Sequence, residues 1–266
     1  MIPITYLFVP GDRPERFQKA VASGADMVVI DLEDAVLPER KGDARGRVRD
    51  ALADGSIRAC VRINGTDTTW FDDDARLLSL AGVAAVMLPK AEDPARVAQL
   101  GNGLARTGVP LVPIIETARG LAASEAIAAC TGVQRLAFGS VDFQVDLGIE
   151  GDGEELWFAR SRLVLASRLA GIAAPIDGVT LAVSDAGQAT RDAVRARRMG
   201  FSAKLCIHPA QVAPVREGFM PTAHEIAWAR GVIDIAGGQP LGALTYEGKL
   251  IDKPVVDRAK AILARA

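Results

Sequence analysis

The stretches Tyr6-Leu-Phe-Val-Pro-Gly11 and Val28-Val-Ile-Asp-Leu-Glu-Asp34 decide how the rest of the chain is read. The first is a β-branched and aromatic run that exits into Pro-Gly. The second is an apolar run that ends in three carboxylates, Asp31, Glu33 and Asp34. Both read as buried parallel strands whose C-terminal ends carry polar chemistry.

Outward from these two runs, strand-like and helix-like segments alternate. Strands are predicted at Thr5–Val9, Met27–Leu32, Ala59–Asn64, Ala84–Pro89, Leu111–Glu116 and Leu136–Gly139, then near Ile176–Val179 and Ala203–His208. Amphipathic stretches lie between them, including Arg13–Ser23, Asp43–Ala53, Pro94–Arg106 and Leu156–Ala170. Asp93 is placed to cap a helix whose first position is Pro94. Regular βα alternation implies a parallel sheet. Eight strands, with polar residues after several of them, favour a closed TIM (β/α)8 barrel over an open sheet. No Gly-x-Gly-x-x-Gly follows the first strand, which counts against a dinucleotide fold. Gly237-Gly-Gln-Pro240 reads as a hinge. The expected division is therefore a barrel over 1–236 and a C-terminal tail over 237–266.

At 266 residues and 49% hydrophobic, the chain can bury a sizeable core. Charge is nearly balanced, at 31 basic against 33 acidic residues, with no basic stripe of the kind that binds nucleic acid. Cys60, Cys130 and Cys206 lie in apolar stretches and read as buried free thiols of a reducing compartment. No secretion signal is evident and no run approaches the roughly 18 apolar residues of a membrane span. The expectation is a cytoplasmic protein without a membrane or nucleic-acid partner.

The chemistry is expected at the strand ends. Arg62, in Val61-Arg-Ile-Asn64, offers a planar fork to a carboxylate or a developing enolate oxygen; the alternative is an ion pair with a nearby acid. Glu116 and Asp142 end neighbouring strand segments. Together they could share a cation that keeps sites for water and substrate, as Mg²⁺ usually does. The alternative is separate roles, with Asp142 in a turn and Glu116 at a helix start. If the strand still runs there, alternation sends Asp31 and Glu33 to one side and Asp34 to the other. With Lys90, Lys41 and Arg45 as neutralising cations, the cluster reads as a buried charge network that fixes the barrel mouth rather than as direct catalysis. His208 reads as a turn residue before Pro209, although a general base is the other reading. Gly151-Asp-Gly-Glu-Glu155 reads as a solvated acidic loop.

These motifs, taken in order, resemble the citrate lyase β-subunit-like family of aldolases and acyl-CoA lyases. The resemblance runs through Leu7-Phe-Val-Pro-Gly11, Asp31-Leu-Glu-Asp-Ala-Val36, Val61-Arg-Ile-Asn64, Leu88-Pro-Lys90, Ile115-Glu-Thr117, Phe138-Gly-Ser-Val-Asp142, Ile207-His-Pro209 and Gly248-Lys-Leu-Ile-Asp252. It implies a TIM barrel and a divalent cation, Mg²⁺ with Mn²⁺ as substitute, on Glu116 and Asp142. It implies cleavage of a 3-hydroxyacyl thioester, like citryl-CoA, malyl-CoA or citramalyl-CoA, into a 2-oxo acid such as oxaloacetate and an acyl-CoA. Arg62 and Glu116 then contact substrate, Arg62 also acts catalytically, and Asp252 acts catalytically from a neighbouring subunit of a homotrimer or homohexamer. The alternatives are an aldolase on free hydroxy acids and a non-catalytic chain assembled with other citrate lyase subunits.

Overall fold

The computed structural model describes residues 2–237 and 244–266. Eight parallel strands close into a barrel in sequence order: β1 (Thr5–Pro10), β2 (Met27–Asp31), β3 (Ala59–Arg62), β4 (Val83–Leu88), β5 (Leu111–Ile115), β6 (Ala137–Phe138), β7 (Ile176–Asp177) and β8 (Ala203–Cys206). All eight lie on runs that the apolar pattern marks. β8 returns to β1 through Thr5↔Lys204 and Leu7↔Cys206. Asp93 is the N-cap of the helix Pro94–Leu104 and accepts from the Ala95 N–H, as its position before proline requires.

The strands are apolar on both faces because both are covered. Tyr6, Val29, Cys60, Met87, Ile114 and Leu205 belong to one buried cluster that fills the barrel. The alternate residues, Leu7, Ile30, Val61 and Leu88, are buried as well. This alternation positions the chemistry. Two residues beyond Val29 lies Asp31, two beyond Cys60 lies Arg62, and two beyond Ile114 lies Glu116. A period of two carries each of these polar side chains to the interior face at the C-terminal mouth. Parallel pairing sets Asp31 directly beside Arg62. Of the three free thiols, Cys60 and Cys206 are buried as expected, whereas Cys130 is half-buried.

The chain divides into two compact units, Met1–Arg216 and Glu217–Ala266. The boundary differs from the one expected at 236/237. The helix Ala223–Ala236 packs with the last helix, Lys253–Leu263, and Ala229 and Val232 bury against Val256, Ala259 and Ile262. It therefore belongs to the second unit. That unit also holds a hairpin of β9 (Leu244–Tyr246) and β10 (Lys249–Ile251). Of the expected hinge, Gly238, Gln239 and Pro240 lie outside the described residues. Among the described residues no helix is long and apolar enough to cross a membrane.

Candidate active site at the barrel mouth

A cavity of about 420 Å³ opens at the C-terminal ends of the strands. Asp31, Asp34, Arg62, Glu116 and Asp142 line it, beside apolar walls from Phe8, Ile114, Val179 and Leu205. The structure thus brings Arg62, Glu116 and Asp142 together.

Arg62 is the most heavily paired group. Its Nε and Nη2 meet the two Asp31 oxygens at 2.7 Å each. Its Nη1 lies 3.0 Å from Glu33 and 3.5 Å from Asp34, and the guanidinium sits over the Phe8 ring. The expected two-point fork is therefore turned onto Asp31, and Arg62 still lines the cavity. Burial would lower the guanidinium pKa, but Asp31, Glu33 and Asp34 overcome it and hold the charge firmly. β2 ends at Asp31, so the condition for alternation is not met, and the three carboxylates form the charge network expected at the mouth. Beyond Asp31 the backbone turns, the Glu33 and Ala35 N–H groups donate to Asp31, and all three carboxylates reach Arg62.

Two of the expected neutralising cations act differently. Lys41 donates to the carbonyls of Leu32 and Glu33 and to Asn64, so it braces the acidic turn from behind through its backbone. Arg45 pairs with Asp74 and Asp73. Lys90 does meet Glu33, at 2.6 Å.

Glu116 is almost fully buried. Burial raises its carboxyl pKa to about 8; Asp142 and Glu33 push in the same direction, against a hydrogen bond from the Lys90 backbone and the charge of Arg62. Gly139 packs so closely that an added Cβ would collide with the Glu116 carboxylate. Asp142 does not end a strand. It lies in the first turn of the helix Ser140–Leu147, which begins directly after β6 with Gly139 as N-cap. A half-buried carboxylate beside a buried one, at an excess of negative charge, is a donor set that suits a divalent cation. Among the described residues no group of three or more His, Cys, Asp and Glu side chains is placed to hold a metal, so a cation here would rest on two protein carboxylates and draw its other ligands from water and substrate.

His208 is exposed, and its Nδ1 accepts from the Ala210 N–H, which is the turn-capping arrangement. Asp252 is the N-cap of the helix Lys253–Leu263 and accepts from the Val255 N–H at 3.1 Å. Pro254 occupies the second helical position, so Lys253 is not the cap that a proline at the first position would make it. The acidic loop at Gly151–Glu155 is more than a solvated surface. Asp152 pairs with Arg160 and Arg195, and Arg160 continues to Asp177, which also faces Lys204.

One feature carries no mark in the sequence: Lys90 adopts a left-handed backbone and donates its own N–H to Glu116. The helix Ala186–Met199 is marked, because its buried Ala189, Ala193 and Ala196 recur at helical spacing among charged residues.

Barrel closure and the acid-rich mouth define a (β/α)8 protein built for polar chemistry at its strand ends. The model of the HpcH/HpaI aldolase/citrate lyase family matches residues 5–209, and the chain belongs to that family. It is 37% identical to the citrate lyase subunit beta-like protein of Deinococcus radiodurans, over 97% of this chain and 95% of that one. It is 34% identical to the L-malyl-CoA/beta-methylmalyl-CoA lyase of Cereibacter sphaeroides, over 98% and 93%. The crystal structure of CitE from Mycobacterium tuberculosis in complex with magnesium, acetoacetate and coenzyme A superposes with a TM-score of 0.89. That match has 34% identity and covers 99% of this chain and 98% of that one.

Proposed function

We propose that this protein is a Mg²⁺-dependent carbon–carbon lyase that cleaves a 3-hydroxyacyl-CoA-type thioester into a 2-oxo acid and an acyl-CoA. The observation that carries the reading is the Glu116–Asp142 pair at a mouth where carboxylates outnumber cations. Relatives named as malyl-CoA lyases, and a related structure holding magnesium with coenzyme A, support it. Glu116 and Asp142 would hold the ion, which when bound supplies a positive centre for a substrate carboxylate and its neighbouring oxygen.

The residues of the chain divide the remaining work. In cleavage, the substrate hydroxyl gives its proton to water and the C–C electron pair moves onto the carbon next to the thioester. The fragment leaves as an enolate, which then takes a proton at that carbon. The Arg62 guanidinium, at the cavity wall, stabilises the enolate oxygen, while Asp31, Glu33 and Asp34 fix its orientation. Phe8, Ile114, Val179 and Leu205 form the apolar part of the wall around the reacting carbons. Asp252, whose Oδ1 caps its helix, is exposed. We assign it the proton exchange at the enolate carbon, delivered to a neighbouring copy in a homo-oligomer.

The test mixes two inactive variants, Glu116→Gln and Asp252→Asn, under conditions of subunit exchange. Each alone should lack Mg²⁺-dependent turnover of a CoA thioester panel. Mixed oligomers should recover part of it, because some sites then hold both residues intact. Confirmed exchange without recovery would remove the shared site. Full turnover of the unmodified protein in excess chelator would remove the metal.

A further inference from the structure

Among the described residues, two that are not glycine have a positive φ: Lys90 at 47° and Glu247 at 48°. Glu247 needs no special account. Together with Gly248, at φ 73°, it turns the hairpin from β9 to β10, where two successive positive φ values match the strand twist. Lys90 has no hairpin to turn. It lies just past β4, in Leu88-Pro-Lys90, and an L side chain adopts the left-handed region only at a cost. Such an outlier is retained where the surroundings over-determine it, and the surroundings here are chemical.

In this conformation Lys90 grips two carboxylates from different strands with two different groups. Its backbone N–H donates to Oε1 of Glu116, beyond β5, at 2.6 Å. Its Nζ donates to Oε1 of Glu33, beyond β2, at 2.6 Å. The other Glu116 oxygen, Oε2, lies against Gly139, where there is no side chain to displace it. Glu116 is thus held from one side by a hydrogen bond and bounded on the other by bare backbone.

We propose that Lys90 is a positioning residue for the metal-holding carboxylate. Its left-handed backbone aims an N–H at Oε1, fixes the Glu116 rotamer, and leaves Oε2 for the cation. The ammonium is the secondary part of the device: it pairs with Glu33. The inference rests on the reading of Glu116 and Asp142 as a metal site. Groups that orient a metal ligand without touching the metal typically change affinity about 10- to 100-fold when altered.

The test is Mn²⁺ binding to the full chain, followed by electron paramagnetic resonance, with the melting temperature of each variant measured alongside. Lys90→Gly should keep the dissociation constant within about threefold of wild type, because glycine takes a positive φ freely and retains the N–H. Lys90→Ile should weaken binding at least about tenfold, since a β-branched residue drives the turn out of the left-handed region. Lys90→Ala should fall between the two, and it carries the comparison if the isoleucine variant does not fold. In a Glu116→Gln background the Lys90→Ile change should add no further loss, as expected for two residues acting through one carboxylate. Equal Mn²⁺ affinity across the series, with only melting temperatures changing, would overturn the proposal. Equal weakening in the glycine and isoleucine variants would also overturn it, because the ammonium and not the backbone would then be responsible. Wild-type protein that binds no Mn²⁺ would remove the metal reading and this inference with it, whereas wild-type binding that is indifferent to Lys90 removes this inference alone.

Discussion

Two charge clusters sit in this barrel, and they are built on opposite terms. Around β7 and the start of β8, Arg160, Arg195 and Lys204 face Asp152, Asp177 and Asp192. The charges match one for one. Arg160, Asp177 and Lys204 are completely buried, and Lys204 also donates to the Gly178 carbonyl. Burial would raise the Asp177 pKa, but Lys204 and Arg160 overcome it and hold the carboxyl below its usual value. At the β2–β6 mouth, Arg62 and Lys90 stand among Asp31, Glu33, Asp34, Glu116 and Asp142. Here burial raises both Glu33 and Glu116. A cluster that neutralises itself needs no guest and serves as scaffold. A cluster left acidic beside an open cavity is stabilised by a cation, and that imbalance is a functional signal that no single residue carries.

The comparison can be broken most sharply at the balanced cluster. Asp177→Asn leaves Arg160 and Lys204 buried against a neutral amide, and about 3–5 kcal/mol of stability should be lost. Urea unfolding with an unchanged m-value checks this; a loss below about 1 kcal/mol would mean that the cluster is not a scaffold.

Next in size is Arg62→Lys. An ammonium cannot hold Asp31 at two points while reaching Glu33 and Asp34, so kcat should fall about 10²- to 10³-fold with folding intact. A change confined to KM would make Arg62 a ground-state anchor rather than a group that meets developing charge.

The third prediction sets the two clusters against each other through pH. Asp177 titrates low in the folded state, so its contribution is present above the usual carboxyl value and is lost as pH falls below it. Glu116 has the opposite sign. Its folded value near 8 lies above the usual 4.5, so the metal-free fold binds the extra proton and loses stability as pH rises through that window. In chelator at pH 9, Glu116→Gln should therefore raise the melting temperature, whereas Asp177→Asn should lower it at every pH above 4. A Glu116→Gln variant destabilised at pH 9 would show that the acidic mouth is not frustrated without a cation.

The smallest effect is expected at His208, which touches neither cluster. His208→Gln removes one acceptor from the Ala210 N–H on an exposed turn, and should cost no more than about 1 kcal/mol while most turnover survives. A collapse of kcat in a well-folded variant would bring this residue into the chemistry.

The sequence determined more here than the pairing of charges. Runs of β-branched and aliphatic residues marked all eight strands, because a parallel strand covered on both faces must be apolar throughout. The period of two then made Arg62 and Glu116 legible as mouth residues, since each continues an interior row set by Cys60 and Ile114. Asp142 was legible as a strand-end acid but not as a helical one, because Ser140–Leu147 is short and follows a two-residue strand. The compact second unit begins at Glu217, before the Gly-Gly pair, because the helix Ala223–Ala236 packs within it, and that packing is a tertiary property.

Only the tertiary structure decided which charge meets which. The Arg62 fork points at Asp31 because parallel register places those two side by side, and register is a property of the closed sheet. Asp177 finds Lys204 for the same reason, on neighbouring strands β7 and β8. The left-handed turn at Lys90 has no mark in its own side chain, because what stabilises it is a carboxylate beyond the next strand. Local sequence fixes what is buried and which way it faces, through periodicity and propensity acting over a few residues. Pairing of charge depends on contacts between residues far apart in sequence, 57 positions for Lys90 and Glu33 and 190 for Arg216 and Asp26, and those exist only once the barrel closes.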